Sequence, residues 1–286
     1  MAKTIMVQGT MSNVGKSLLV TALCRIFKQD GYRVAPFKAL NVAPNLLITS
    51  DGLEIAKAQA VQAEAAGIEP DARMSAILLK PVSGRAGKNL QAVLFGKEIN
   101  TISELNYYDL EAKLKPEILK AYNSLAGEVD VVVVEGSGSA AELNLDDFAN
   151  MGIAKMIKAP VLLAGDIERG GIFAQLFGTV KILPKDENDL IKALVVNKFR
   201  GDISLFDGGV KILENICGKP VAGVVPYFDV DIEGEDALDA GKKGKGINLN
   251  VDALAAYRER NYDLLAQGVR NALDMRLIYN ILNTGM

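Results

Sequence analysis

The sequence predicts an α/β fold: a mostly parallel sheet flanked by helices, with a helical tail at its C-terminal end. Three observations predict it. Short β-branched runs alternate along the chain with helical patterns, as parallel strands joined by crossover helices do. Residues 4 to 20, Thr-Ile-Met-Val-Gln-Gly-Thr-Met-Ser-Asn-Val-Gly-Lys-Ser-Leu-Leu-Val, set a buried strand, a glycine-containing loop and a Lys-Ser pair directly before an apolar-periodic helix. The composition, 49% hydrophobic over 286 residues, is enough to bury a sizeable core. Strand, glycine loop, Lys-Ser and helix in that order make this a P-loop nucleotide-binding fold.

The loop is the element from which the rest is read. Amides of Thr10, Asn13, Val14 and Gly15, with Lys16, Ser17 and Leu18 at the helix start, would line a polyphosphate, because a helix N-terminus offers N–H donors and partial positive charge. Lys16 would reach the β- and γ-phosphates of a bound triphosphate, and the Ser17 hydroxyl would ligate Mg²⁺. The spacing departs from the usual pattern: Thr10 stands where its first glycine belongs.

The first helix extends to about Gln29, and Arg33 to Phe37 reads as a second strand ending at Lys38. Glu54 to Ala66 is an alanine-rich helix stopped by Gly67. Ile77 to Leu79 and Ala92 to Phe95 are short strands around a polar loop, Ser83 to Asn89. Asn106 to Leu125 is a long helix ended by Gly127, and Asp130 to Glu135 is a buried strand of four valines closed by a carboxylate. Pro160 to Asp166 is the next strand, Gly170 to Leu183 the next helix, and Ala193 to Asn197 and Val221 to Val225 complete the sheet. Ligands of such sheets collect beyond the strands' carboxyl ends, where Lys38, Glu135, Asp166, Asn197 and Pro226 fall. Residues 239–250 are a Gly/Lys linker, and Val251 to about Leu282 is helical, with Tyr262, Leu265, Val269 and Leu273 forming one stripe. The stripe either packs back on the sheet or serves self-association.

Several chemistries are excluded or disfavoured. With no histidine, Ser-His and Cys-His catalysis and histidine-ligated metals are absent from the chain. A net charge of −3 leaves no electrostatic footprint for nucleic acid. No stretch approaches the ~20 apolar residues of a membrane span. Met1-Ala-Lys runs straight into the first strand with no room for a signal peptide, and Cys24 and Cys217 suit reduced thiols, so a cytoplasmic protein is expected.

At the strand ends, Glu135 suits a second Mg²⁺ ligand or a carboxylate orienting the metal's waters. Lys38 is a second lysine able to reach the phosphates. Ser50 or Asp51 suits a helix N-cap. Asn197-Lys198 suits hydrogen bonding to a nucleobase edge, and Arg169-Gly170-Gly171 is a donor-rich turn able to hold an anion.

Taken together, Gln8-Gly-Thr-Met-Ser-Asn-Val-Gly-Lys-Ser17, Phe37-Lys-Ala-Leu-Asn41, Asp51-Gly-Leu-Glu-Ile-Ala-Lys-Ala-Gln59, Leu78-Leu-Lys-Pro81, Val134-Glu-Gly-Ser-Gly-Ser-Ala-Ala-Glu-Leu-Asn144, Asn150-Met-Gly152, Gly165-Asp-Ile-Glu-Arg-Gly-Gly171 and Val196-Asn-Lys-Phe-Arg-Gly-Asp202 resemble the successive motifs of the cobyric acid synthase family. The resemblance implies an ATP-dependent synthetase domain over residues 1–238, followed by the 239–250 linker and a 251–286 tail. It implies activation of corrinoid side-chain carboxylates for amidation. Lys16, Ser17 and Glu135 would serve ATP and Mg²⁺, with Asp51 a further metal ligand. Lys38 would stabilise the transferred phosphoryl, and Asn197, Lys198 and Pro226 would flank adenine. Asn41, Asn45, Glu142, Asp166 and Arg169 would face the acid substrate.

The family also carries a glutaminase domain with a Cys-His-Glu triad, which these 286 residues do not contain. Tyr262 to Met275 resembles the family's last helix, so the linker stands where that domain belongs. Ammonia or a separate glutaminase would then supply nitrogen, and a homodimer is expected by the same resemblance. Leu40, Ser75-Ala76 and Gly84 depart from the family pattern on the acid side. Alternatives are a nucleotide-switched ATPase or interaction protein, and a ligase for another small carboxylic acid.

Overall fold

The structure, a computed structural model, describes residues 2–42, 45–81, 90–101, 107–142, 149–229, 232 and 251–284. The polar loop at Ser83 to Asn89, Gly84 within it, and the 239–250 linker lie outside the described residues. The elements in order are β1 (Lys3–Gly9), α1 (Lys16–Gln29), β2 (Val34–Val42), β3 (Leu46–Ile48), β4 (Glu54–Ala56), α2 (Lys57–Ala66), β5 (Ser75–Pro81), β6 (Leu90–Leu94), β7 (Lys97–Thr101) and α3 (Tyr107–Ala126). Then follow β8 (Val131–Glu135), α4 (Met151–Met156), β9 (Val161–Asp166), α5 (Ile172–Ile182), α6 (Lys185–Asn188), β10 (Ile191–Phe199), α7 (Asp207–Cys217), β11 (Val221–Pro226), α8 (Val251–Ala272) and α9 (Met275–Thr284).

Among the described residues nine strands form one sheet, ordered β11-β10-β9-β1-β8-β2-β5-β6-β7. The pairings from β11 through to β5 are parallel, and β6 and β7 add an antiparallel edge. The strand of valines explains the layering. Val131 and Val133 point to one face, whose core they share with Leu23 and Phe27 of α1, Leu265 and Val269 of α8, and Ile278 and Ile281 of α9. Val132 and Val134 point to the other, under Ile118 and Leu125 of α3 and Leu176 of α5. Each fully buried valine contributes roughly 1.5–3 kcal/mol, so a strand apolar on both faces belongs at the centre.

Four readings are corrected. β2 does not end at Lys38 but runs to Val42. Val34 to Phe37 pair with β8, and from Lys38 onward the strand pairs with β5 instead. Second, α2 begins at Lys57, because Glu54 to Ala56 pair with β3 as a short antiparallel ribbon. Ser50 and Asp51 therefore sit in the ribbon's turn and cap no helix, the residue before α2 being Ala56. Third, β10 continues through Asn197 to Phe199. Fourth, the tail is two helices. The Asp274 carboxylate accepts from the Arg276 and Leu277 amides (3.0 and 3.1 Å), an N-cap that starts α9 afresh.

The tail stripe is covered. Tyr262, Leu265, Val269 and Leu273 are all buried. Polar contacts fix the same seam: Arg25 of α1 donates to Asp263 and Glu259 (2.7 Å each), and the Tyr262 hydroxyl donates to Glu64 of α2 at 2.9 Å. Both cysteines are free and buried. Among the described residues no helix is long and apolar enough to cross a membrane.

Candidate functional site

The sheet order decides which side chains meet. β1 lies between β8 and β9, and β8 lies between β1 and β2. Val7 pairs with Glu135 and Phe37 with Val134, so Lys38 comes level with Glu135 beside the loop that leaves β1.

That loop turns tightly. A Cβ on Gly9 would lie 2.5 Å from Val14 Cγ2, and Gly15 has φ +91°, with space for its Cβ blocked by Asn197 Nδ2 at 2.4 Å. Both positions need glycine. Asn13 also takes a left-handed φ of 63°, a conformation asparagine tolerates. The Lys16 ammonium donates to the carbonyls of Met11 (3.2 Å) and Gly138 (2.8 Å), so it lies across the loop and reaches the segment after β8.

Glu135 is the electrostatic centre. Its Oε1 accepts from Ser17 Oγ and from Lys38 Nζ, each at 2.9 Å. Its Oε2 accepts from Gln62 Nε2 at 2.5 Å and, more weakly, from Gln59 Nε2 at 3.4 Å. Complete burial pushes this carboxyl up, but the Lys38 charge and hydrogen bond, the Gln62 amide and the Lys16 charge outweigh it and hold Glu135 below the usual carboxylate range. The group is thus an anion in a dry place, held by two ammonium groups. Burial, reinforced by that anion, pushes the nearby Cys24 thiol well above its ordinary value, which makes it inert.

On the opposite side of the loop, Asn197 Nδ2 donates to the Val14 carbonyl at 2.7 Å. Lys198, with φ 62°, donates to the Asn13 carbonyl and to Asp166 Oδ2 at 3.1 Å. Both side chains hold the loop backbone. Thr10 is tied to α5 through Gln175 Oε1 at 3.2 Å, and Leu18 packs into the core under α1. Pro226 ends β11 opposite Phe199, beside Tyr227, whose ring carries the Arg200 guanidinium at 3.5 Å.

The acid-side residues are more scattered. Asn41 is buried and donates to Ser75 Oγ at 2.8 Å, while its Oδ1 is buried without a hydrogen-bond partner. Asp166 is buried and accepts from the Glu168 amide at 2.8 Å as well as from Lys198. Arg169 is mostly exposed, 3.9 Å from Asp166. Glu142 is exposed and accepts from the Ser139 amide at 3.1 Å, on the segment that Lys16 touches. Asn45 is exposed before β3, its carbonyl accepting from the Lys57 amide. Asp51 is exposed, and its carboxylate accepts from the Thr49 hydroxyl at 2.5 Å. Among the described residues no three Asp, Glu, Cys or His side chains cluster as metal ligands.

Gln62, Gln175 and Asn150 were not visible as site residues in the sequence. Asn150 donates to the carbonyls of Ser137 and Ser139 (2.5 and 3.0 Å) and shapes the segment after β8. One signal for α2 was available: two glutamines three residues apart on a helix otherwise dominated by alanine.

The donor set suits Mg²⁺. A hydroxyl and a carboxylate oxygen 2.9 Å apart are hard ligands, and this ion takes one or two protein oxygens and completes its shell with waters and phosphate.

Comparison with known proteins agrees with this geometry. The family model described as the CobQ/CobB/MinD/ParA nucleotide binding domain matches residues 5–237. The chain is 55% identical over 248 residues to the cobyric acid synthase of Ruminiclostridium cellulolyticum, covering 86% of this chain and 48% of that protein. It is 52% identical over 260 residues to that of Lachnoclostridium phytofermentans (88% and 50%), and 51% identical over 240 residues to that of Salmonella gallinarum (83% and 47%). The chain spans about half the length of the curated relatives it matches. With the P-loop at the end of β1, Glu135 at the end of β8 and the matched span running through both, the chain belongs to the CobQ/CobB/MinD/ParA nucleotide-binding domain family.

Proposed function

We propose that the protein is an ATP- and Mg²⁺-dependent amidoligase that activates a carboxylate, a corrinoid side chain in the relatives' chemistry, for amidation. The observation that carries this reading is the buried Ser17–Glu135–Lys38 contact set beside Lys16, at the mouth of a P-loop. A carboxylate is a poor acyl donor. Its oxygen takes the γ-phosphoryl of ATP, ADP leaves, and ammonia then attacks the acyl carbon and displaces phosphate, leaving the amide. The protein's task is to position the reactants and neutralise charge on the group in transfer.

Lys16 faces the β- and γ-phosphates. Lys38, one strand away from the loop's own strand pair, neutralises the phosphoryl as it moves. Ser17 and Glu135 hold Mg²⁺, which when bound screens the phosphate charge. Asp51, in the β3–β4 turn, would be a further ligand of the ion. Asn197, Lys198 and Pro226 flank the adenine, while Asn41, Asn45, Glu142, Asp166 and Arg169 face the acid. The nitrogen source in this reading is ammonia, free or from a separate glutaminase; these 286 residues hold no histidine to pair with either cysteine. Free, buried thiols agree with a cytoplasmic setting. A homodimer through the sheet rests on the family resemblance alone, since the tail stripe is covered within the chain.

The test is ADP release with and without a corrinoid acid plus ammonium. Turnover that rises only when both are present supports ligation. Turnover indifferent to both favours a nucleotide-switched ATPase, and stimulation by a different small acid would reassign the substrate.

A further inference from the structure

Glu135 contacts the P-loop serine, the second lysine and α2 at once. Two of its hydrogen bonds come from a helix outside the P-loop. Gln59 and Gln62 are both fully buried, one helical turn apart, and point at the same carboxylate oxygen. Gln59 Nε2 also donates to Gln62 Oε1 at 3.3 Å. That bond selects one orientation of the Gln62 amide, the one that sends its NH₂ group to Glu135. The opposite orientation of either amide would set an oxygen lone pair against an anion. Gln59 keeps this orientation although its own Oε1 is buried with no hydrogen-bond partner, itself an unfavourable arrangement. A buried amide that leaves its acceptor unsatisfied in order to donate is being held there by what it donates to.

Resting on the ATP–Mg²⁺ reading above, we infer that Gln62 is a positioning residue for the metal end of the site. Its amide, aligned by Gln59, pins Glu135 Oε2 and so turns Oε1 toward Ser17. One carboxylate oxygen is committed to α2, and the other is presented to Ser17, to Lys38 and to whatever cation binds there. Carboxylates that ligate a metal are commonly fixed in this way, and loss of the outer partner lowers metal affinity by about 10- to 100-fold.

The experiment titrates Mg²⁺ against binding of a non-hydrolysable ATP analogue, by calorimetry on the full chain, with a parallel series in EDTA. Mn²⁺ in place of Mg²⁺ adds an electron paramagnetic resonance signal that reports the bound ion directly. Gln62→Met keeps the volume and removes the donor. It is expected to raise the Mg²⁺ concentration for half-maximal binding by about 10- to 100-fold, with affinity in EDTA unchanged. Gln59→Met should shift it the same way by less. Gln62→Asn, whose amide is withdrawn by one methylene, should follow Gln62→Met. These two variants carry the test if Gln62→Met does not fold. Wild-type Mg²⁺ dependence in the variants, or equal losses with and without metal, overturns the inference and leaves the nucleotide reading standing. A wild-type chain that binds the analogue identically in Mg²⁺ and in EDTA overturns that reading, and this inference with it.

Discussion

Lys16 and Lys38 meet the same carboxylate field by different routes, and the difference sets what each substitution should do. Lys16 lies across its own loop on two carbonyls, which a phosphate can replace as partners without stranding a buried charge. Lys38 is ion-paired to Glu135, with both side chains almost wholly buried. Lys16→Ala should therefore lose nucleotide-dependent turnover by about 100-fold or more, the scale for removing one transition-state donor, while melting near the wild-type temperature. Equal ATP affinity and turnover in the two proteins would remove the P-loop assignment. Lys38→Met strands a buried anion, a change that typically costs about 3–5 kcal/mol, so it should lower the melting temperature as well as activity. Gly15→Ala should act through the loop: its φ of +91° disfavours any Cβ, and the Asn197 amide occupies the space. A loss of about 1–3 kcal/mol is expected, read by urea denaturation, and an unchanged midpoint would show that the loop relaxes freely.

At the scale of elements, the parallel core was legible because its strands are short, apolar and closed by charged or turn residues. Val131 to Glu135 and Val161 to Asp166 lie within one residue of where the pattern put them. What escaped was non-local. β2 runs past Lys38 only because β5 is there to pair with it, and nothing in residues 34–42 announces that partner. The β3–β4 ribbon is three residues a side, too short for periodicity, and it displaced the expected cap at Asp51. The tail break came from Asp274, a good N-cap in an otherwise continuous stripe. Around the P-loop, the residues at strand ends were legible from the pattern, whereas Gln175 of α5 gave no signal and Gln62 of α2 gave only its three-residue spacing from Gln59. The tail's docking gives a pH prediction. Burial pushes Asp30 up, but Arg270 and Tyr279 hold it below its ordinary value, and Arg25 does the same to Asp263. Groups with depressed native pKa values stabilise above the unfolded value, near 4, and lose that contribution as pH falls through the native one. Protection factors for α8 and α9 amides, corrected for intrinsic exchange, should fall relative to the sheet below about pH 4. Parallel behaviour of tail and sheet from pH 7 to pH 3 would show that these contacts contribute nothing to docking.

For the whole molecule, the arrangement ties the helix that starts at the P-loop to the tail helices of residues 251–284. α8 and α9 share one apolar core with Phe27 and Val131, and Tyr279 stacks with Tyr32 and meets Phe27 edge-on. The crossing is close: a Cβ on Gly223 of β11 would lie 2.1 Å from the Ala272 carbonyl, and the Asp274 amide donates to the Ala222 carbonyl at 2.7 Å. A backbone carbonyl cannot step aside as a side chain can, so Gly223→Ala should separate tail from sheet, costing about 1–3 kcal/mol. A chain ending at Leu238 extends the same argument. It would leave in water the part of the α1 face of the sheet that α8 and α9 cover, at about 25 cal/mol for every Å² of apolar surface. If the tail were a dimerisation device, the shortened chain would be a folded monomer and the full chain a dimer. The packing instead predicts that the shortened chain loses cooperative melting and aggregates, whereas the full chain keeps one oligomeric state across concentration. Light scattering and calorimetry on the two chains distinguish these outcomes, and a well-folded, monodisperse chain ending at Leu238 would show that the tail is dispensable to the core it covers.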